Sequence, residues 1–140
     1  MVVLDTNSVS ELMHPAGHPA VASWVAERST SSLFLTAVTE AELRFGLAIM
    51  PVGRRRGGLT VGFERMLRTG FANRVLPFDS DAARAYAVIA AARRRMGRPI
   101  SQADGQITAI ARSRCMAVAT RNVRDFEDTG IAVIDPWKDT

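Results

Sequence analysis

The sequence predicts a three-layer α/β/α domain on a mostly parallel five-stranded sheet, and three observations lead there. Short apolar runs alternate with segments of helical period, no internal repeat or long linker interrupts them, and several of the runs stop abruptly at polar or acidic residues. Parallel strands are covered on both faces, so they read as continuous apolar runs, and their carboxyl ends open into the crevice where α/β proteins bind ligands.

The composition bounds the rest. A chain of 140 residues with 47% hydrophobic content is expected to form one domain, spanning 1–140, with a substantial core. The apolar run after Met1 is short and has no basic flank, which argues against a signal peptide or spanning helix and predicts the cytoplasm. The single Cys115 makes neither an internal disulfide nor a Cys-based zinc site and is expected to pack inside. His14 and His18 read as surface loop residues. The formal charge is +4, and every basic residue except Lys138 is arginine, the side chain that grips phosphate bidentately, so a polyanionic partner fits.

In chain order, Val2–Leu4 is the first strand and ends at Asp5. A short helix follows over Asn7–Met13, capped by Thr6, Asn7 or Ser8, with Ser8 and Glu11 spaced as a capping box. Pro19 opens a second helix to about Arg28, whose stripe is Val21, Trp24 and Val25. Leu33–Leu35 is the second strand, followed by a helix to about Met50 that Pro51 ends. On it Val38, Glu42, Phe45 and Ile49 share a face read as buried, while Glu40 can pair with Arg44 outside. An ionised Glu on a buried face needs a cation, a hydrogen-bond network or a cleft.

Residues 51–58, with Arg54, Arg55 and Arg56 beside two glycines, read as a mobile basic loop, either solvated or touching phosphate, before a helix from about Val61 to Ala72. Arg74–Phe78 is the third strand. Asp79 and Ser80 then cap a long Ala-rich helix that stops at Gly97, with Arg93, Arg94 and Arg95 fanning around its last turn. Ser101 opens the next helix, and Asp104 either completes a capping box or faces a site over the helix N-terminus, since Ile107 and Ala111 share its side. Met116–Ala119 is the fourth strand, followed by a polar turn through Thr120, Asn122 and Asp125, and Ile131–Ile134 is the fifth.

Asp5, Glu42, Asp104 and the turn from Thr120 can therefore meet at one edge of the sheet. Carboxylates that close resist joint ionisation, and a hard divalent cation, Mg²⁺ or Mn²⁺, resolves the conflict through oxygen ligands. With no His or Cys among them zinc is disfavoured, and metal-assisted phosphoryl chemistry suits the acids while the arginines hold a polyphosphate backbone.

The chain resembles the PIN-domain ribonucleases, and within them the VapC toxins of type II toxin–antitoxin systems, FitB-like group. The likeness rests on Val3-Leu-Asp5-Thr6-Asn7, on Thr39-Glu-Ala-Glu42-Leu-Arg-Phe-Gly46, on Ala103-Asp104 with Ile107-Thr-Ala-Ile110, and on Ala119-Thr120-Arg121-Asn122 with Asp125-Phe126 and Gly130. It implies a PIN-like fold, Mg²⁺- or Mn²⁺-dependent cleavage of RNA, and Asp5, Glu42 and Asp104 as metal-binding acids, with Thr6 and Thr120 as polar site residues. Many PIN domains carry an Asp where this chain has Asn122, which can orient water but brings no charge. The resemblance also implies a VapB-like antitoxin over the site and a toxin homodimer, for which the Trp24 face and the arginine-bearing helix ends are candidate contacts.

Two other readings stay open. A PIN-like module could bind RNA or a partner without cutting. A phosphatase with Asp5 as nucleophile would want a second acid two residues on, where Asn7 stands. Neither G-x-G-x-x-G nor G-x-x-x-x-G-K-[ST] occurs, which argues against the common nucleotide-binding folds.

Overall fold

A computed structural model describes residues 1–138; the last two positions of the expected 1–140 span lie outside the described residues. The strands are β1 (Val2–Leu4), β2 (Leu33–Thr36), β3 (Val75–Leu76), β4 (Ala117–Ala119) and β5 (Val133–Ile134). They form one sheet in the order β3-β2-β1-β4-β5, and every pairing is parallel, so the sheet is parallel throughout rather than mostly. The helices are α1 (Thr6–Met13), α2 (Pro19–Ala26), α3 (Ala37–Ile49), α4 (Arg54–Arg65), α5 (Ser80–Arg95) and α6 (Gln102–Ser113).

Successive residues of a strand face opposite sides of its sheet. Accordingly Val3 joins Ile107, Ile110, Val118 and Phe126 in one core cluster, while Leu4 joins Val9, Trp24, Leu35 and Phe71 in the other. That double burial is why β1 carries no polar residue until Asp5, and truncating Leu4 to Ala should cost about 2–5 kcal/mol. The central position of β1 matters for function. The order runs outward from it to β2 on one side and β4 on the other, and the crevice of an open α/β sheet lies at such a switch point.

Local chemistry sets the helix starts. Asp5, Thr36, Asp79 and Ser101 each accept a hydrogen bond from the backbone three residues on, at the N-termini of α1, α3, α5 and α6. His18 caps α2 through its ring, accepting from the Ala20 amide. The cap of α1 is thus Asp5 itself, not Thr6, Asn7 or Ser8. No Ser8–Glu11 box forms, because Ser8 donates to the Ala119 carbonyl at 3.1 Å and Glu11 accepts from the His18 amide at 2.5 Å.

Several expectations are corrected. Arg54, Arg55 and Arg56 are not in a loop but form the first turn of α4, which continues into a π turn at Met66–Gly70. Glycines lower helix propensity, yet the fully buried Phe63 anchors this helix by packing, and packing outweighs propensity here. On α3 the covered side is Thr39, Leu43 and Leu47, whereas Phe45 and Ile49 are 66% and 67% exposed. Trp24 is buried in the core, with the Arg28 guanidinium 3.6 Å from its ring centroid, so it offers no contact surface. Cys115 is exposed at φ +57, having been displaced from the core by the left-handed turn that ends α6.

Candidate active site

Asp5 sits where β1 passes into α1 and is 4% exposed. One carboxylate oxygen accepts from the Ser8 amide at 2.9 Å and the other from the Thr120 hydroxyl at 2.6 Å. Thr120 is buried just beyond β4, and its own oxygen accepts from the Asn122 amide at 3.0 Å. A chain of hydrogen bonds therefore runs from the turn after β4 into the carboxylate at the end of β1. Burial pushes the Asp5 carboxyl upward, the bonds from Thr120 and Ser8 oppose that, and the Glu42 charge adds to it.

Glu42 reaches the same edge from α3. It is exposed, not on a buried face, and the Thr6 hydroxyl donates to it at 2.6 Å. Thr6 has a single hydroxyl proton, already committed to Glu42, so the contact of 3.1 Å between Thr6 and Thr39 must carry the proton of Thr39. Buried Thr39 thus steadies Thr6, which steadies Glu42. Sequence reasoning missed Thr39 and Ser8; the one available signal was a polar residue on the covered side of each helix.

Asp104 lies in the first turn of α6, half-buried, with its amide bonded to Ser101 at 3.2 Å. Its carboxyl is also held above the usual range, first by burial, against a hydrogen bond from Ser101, and then by the negative charges of Asp125, Asp5 and Glu42. The charges of the other three acids thus reach Asp104. The Ser101 cap is present, and it leaves the Asp104 carboxyl a candidate for the site. Asn122 is exposed, contributing its amide to Thr120, while Asp125 lies in a short 3-10 turn, Val123–Phe126. Among the described residues none of the four carboxylates makes an ion pair.

Could this set hold a divalent cation? Among the described residues no three Asp, Glu, His or Cys side chains already stand close enough to form a ready-made cage. The donors are nonetheless all oxygen, mutually repelling and open to solvent at Glu42. That fits a small hard ion which keeps several waters and takes only one or two carboxylates directly. The candidate ligands are Asp5, Glu42 and Asp104.

A parallel sheet with acids gathered at its switch point is the architecture of a PIN-type fold, and the chain belongs to the PIN domain family, whose model matches residues 2–132. More particularly, it is 44% identical over 138 residues to VapC ribonuclease Y4jK of Sinorhizobium fredii, covering 99% of each chain. It is 37% identical over 139 residues to Toxin FitB of Neisseria gonorrhoeae, covering 99% of this chain and all of that one. The crystal structure of FitAcB from Neisseria gonorrhoeae superposes with a TM-score of 0.88 at 36% identity, covering 99% of both chains.

Proposed function

We propose that this protein is the toxin of a type II toxin–antitoxin pair, a Mg²⁺- or Mn²⁺-dependent endoribonuclease working in the cytoplasm and restrained by a VapB-like antitoxin. What supports this reading is that Asp5, Glu42 and Asp104 come from three separate elements, that the charges of Asp5 and Glu42 both act on Asp104, and that none of the three makes an ion pair among the described residues. The names of the relatives, a ribonuclease and a toxin, point the same way.

A divalent ion held by Asp5, Glu42 and Asp104 would supply Lewis-acid stabilisation of the charge that develops on the phosphodiester during attack by water. The protein's residues do the positioning. Thr120 and the Ser8 amide fix both oxygens of Asp5, leaving its orientation no freedom. Thr6 and Thr39 fix Glu42. The cap at Ser101 holds the Asp104 backbone, and the positive end of α6 favours negative charge at its first turn. Asn122 holds Thr120 through its amide and leaves its side chain free to orient water.

Two rivals lose ground on specific grounds. A phosphatase using Asp5 as nucleophile would want a second acid two residues on, where Asn7 stands. A pure binding module gains nothing from carboxyls held in a shared, mutually repelling set. The test is cleavage of structured RNA by the purified protein, free of antitoxin. Mg²⁺ or Mn²⁺ should be required, EDTA should stop the reaction, and Asp5→Asn and Asp104→Asn should each lose at least about a hundredfold in rate, the scale of removing one group that stabilises transition-state charge. Cleavage by the Asp104→Asn protein at the wild-type rate would reduce that residue to a helix cap.

A further inference from the structure

Two grooves meet at Glu42. One, of about 530 Å³, passes between α3 and the first turn of α6, by Val38, Gln102 and Gln106. The other, of about 170 Å³, passes between α1, α3 and the start of α4, by His14, Gly46 and Arg55. A polynucleotide laid over the acids at Glu42 would therefore have a channel on either side of the reacting phosphate.

The second groove gives the three successive arginines of α4 different roles. Arg56 is half-buried and donates to the Met50 carbonyl at 3.4 Å, closing the C-terminus of α3. Arg54 is exposed and lines neither groove. Arg55 is exposed, makes no ion pair among the described residues, and borders the groove that reaches Glu42. The guanidinium of Arg44, on α3, lines neither groove and is held between Glu40 and Glu64. Arg55 is thus the available cation on that wall, at a helix N-terminus whose dipole adds positive potential.

Gly46 supplies an independent observation. A glycine within α3 lowers helix stability by roughly 1 kcal/mol relative to alanine. A Cβ there would meet nothing within 4 Å, so packing does not require the glycine. What its small size does keep is open space in the groove, which Gly46 lines.

We propose that the groove between α1, α3 and α4 carries the RNA strand on one side of the scissile phosphate, with Arg55 gripping a backbone phosphate and Gly46 leaving room for the nucleotide. This rests on the ribonuclease reading above. A phosphate contact fixes register without reading sequence, so Arg55 acts on affinity and alignment rather than base preference.

The test measures binding of a fluorescent single-stranded RNA to the intact, antitoxin-free protein with Ca²⁺ in place of Mg²⁺, across a range of salt. Arg55→Ala should weaken binding roughly fivefold to tenfold and flatten the salt dependence by about 0.7 in log–log slope, one phosphate contact on a single strand. Arg54→Ala should stay within about twofold, since an exposed charge off the path adds only screened attraction. Gly46→Leu, a better helix former, should weaken RNA binding without lowering Tm. Wild-type affinity and slope in Arg55→Ala, or wild-type affinity in Gly46→Leu, would overturn the proposal. So would variants that bind RNA normally but lose the antitoxin, since the groove would then belong to a protein partner. A wild-type protein that binds no RNA would instead sink the ribonuclease reading itself.

Discussion

At the scale of single residues, the acids are in tension with the fold that gathers them. Asp5 and Asp104 both have carboxyls raised in the folded chain. For such groups the stabilising contribution is complete below the unfolded pKa, near 4, and is lost as pH rises through the folded value. Metal-free protein should therefore lose stability through these two sites as pH rises above about 4. Asp104→Asn should remove part of that loss and raise the metal-free Tm at pH 7 by roughly 1–4 °C, while reducing the Tm gain on adding Mg²⁺. Calorimetry with and without the ion checks both signs. Thr120→Val should do the opposite. Losing the hydroxyl at 2.6 Å from Asp5 should cost about 1–3 kcal/mol and move the acid limb of any pH–rate profile upward, because Asp5 loses a bond to its charged form.

At the scale of elements, the site depends on turns tied down from behind. Arg93, the first of the three arginines that the sequence left fanned around the end of α5, is 4% exposed. It donates to the carbonyls of Arg98, Asp125 and Glu127. It therefore fastens the turn carrying Asp125 to the α5–α6 hairpin. Arg93→Met should leave three acceptors short of a donor and cost about 2–4 kcal/mol, read by urea titration. The same hairpin explains Gly105. A Cβ there would come within 2.8 Å of the Tyr86 ring, so Gly105→Ala should destabilise by roughly 1–3 kcal/mol despite its better helix propensity. Sequence reading located strands and helices well where period and caps agree, as at Asp79 and Ser101. It failed at Arg54–Arg56, where two glycines signalled a loop, because the buried Phe63 that holds α4 is a tertiary contact. It failed on α3 for a related reason. Two apolar stripes compete there, and periodicity does not say whether Leu43 and Leu47 or Phe45 and Ile49 turn inward.

For the whole molecule, the parallel sheet was legible in its alternation of short apolar runs with helical periods, and the three acids stood out as candidates because they fall at a strand end or among apolar helix positions. The hydrogen-bond network of Thr6, Thr39, Thr120 and Ser8 was not, since it joins residues more than thirty positions apart. The outward stripe of α3, with Phe45, Ile49 and nearby Val52 exposed, offers an apolar face for the homodimer that the family resemblance implies. Phe45→Glu combined with Ile49→Glu should shift sedimentation from dimer to monomer without changing Tm by more than a few degrees. A wild-type chain that sediments as a monomer at micromolar concentration would contradict that. That Asp5, Glu42 and Asp104 serve one metal ion, as proposed, is tested most directly by calorimetric titration of Mn²⁺ at pH 7. Asp5→Asn, Glu42→Gln and Asp104→Asn should each weaken binding by at least about tenfold, or about 1.4 kcal/mol. Wild-type Mn²⁺ affinity in all three variants would contradict it.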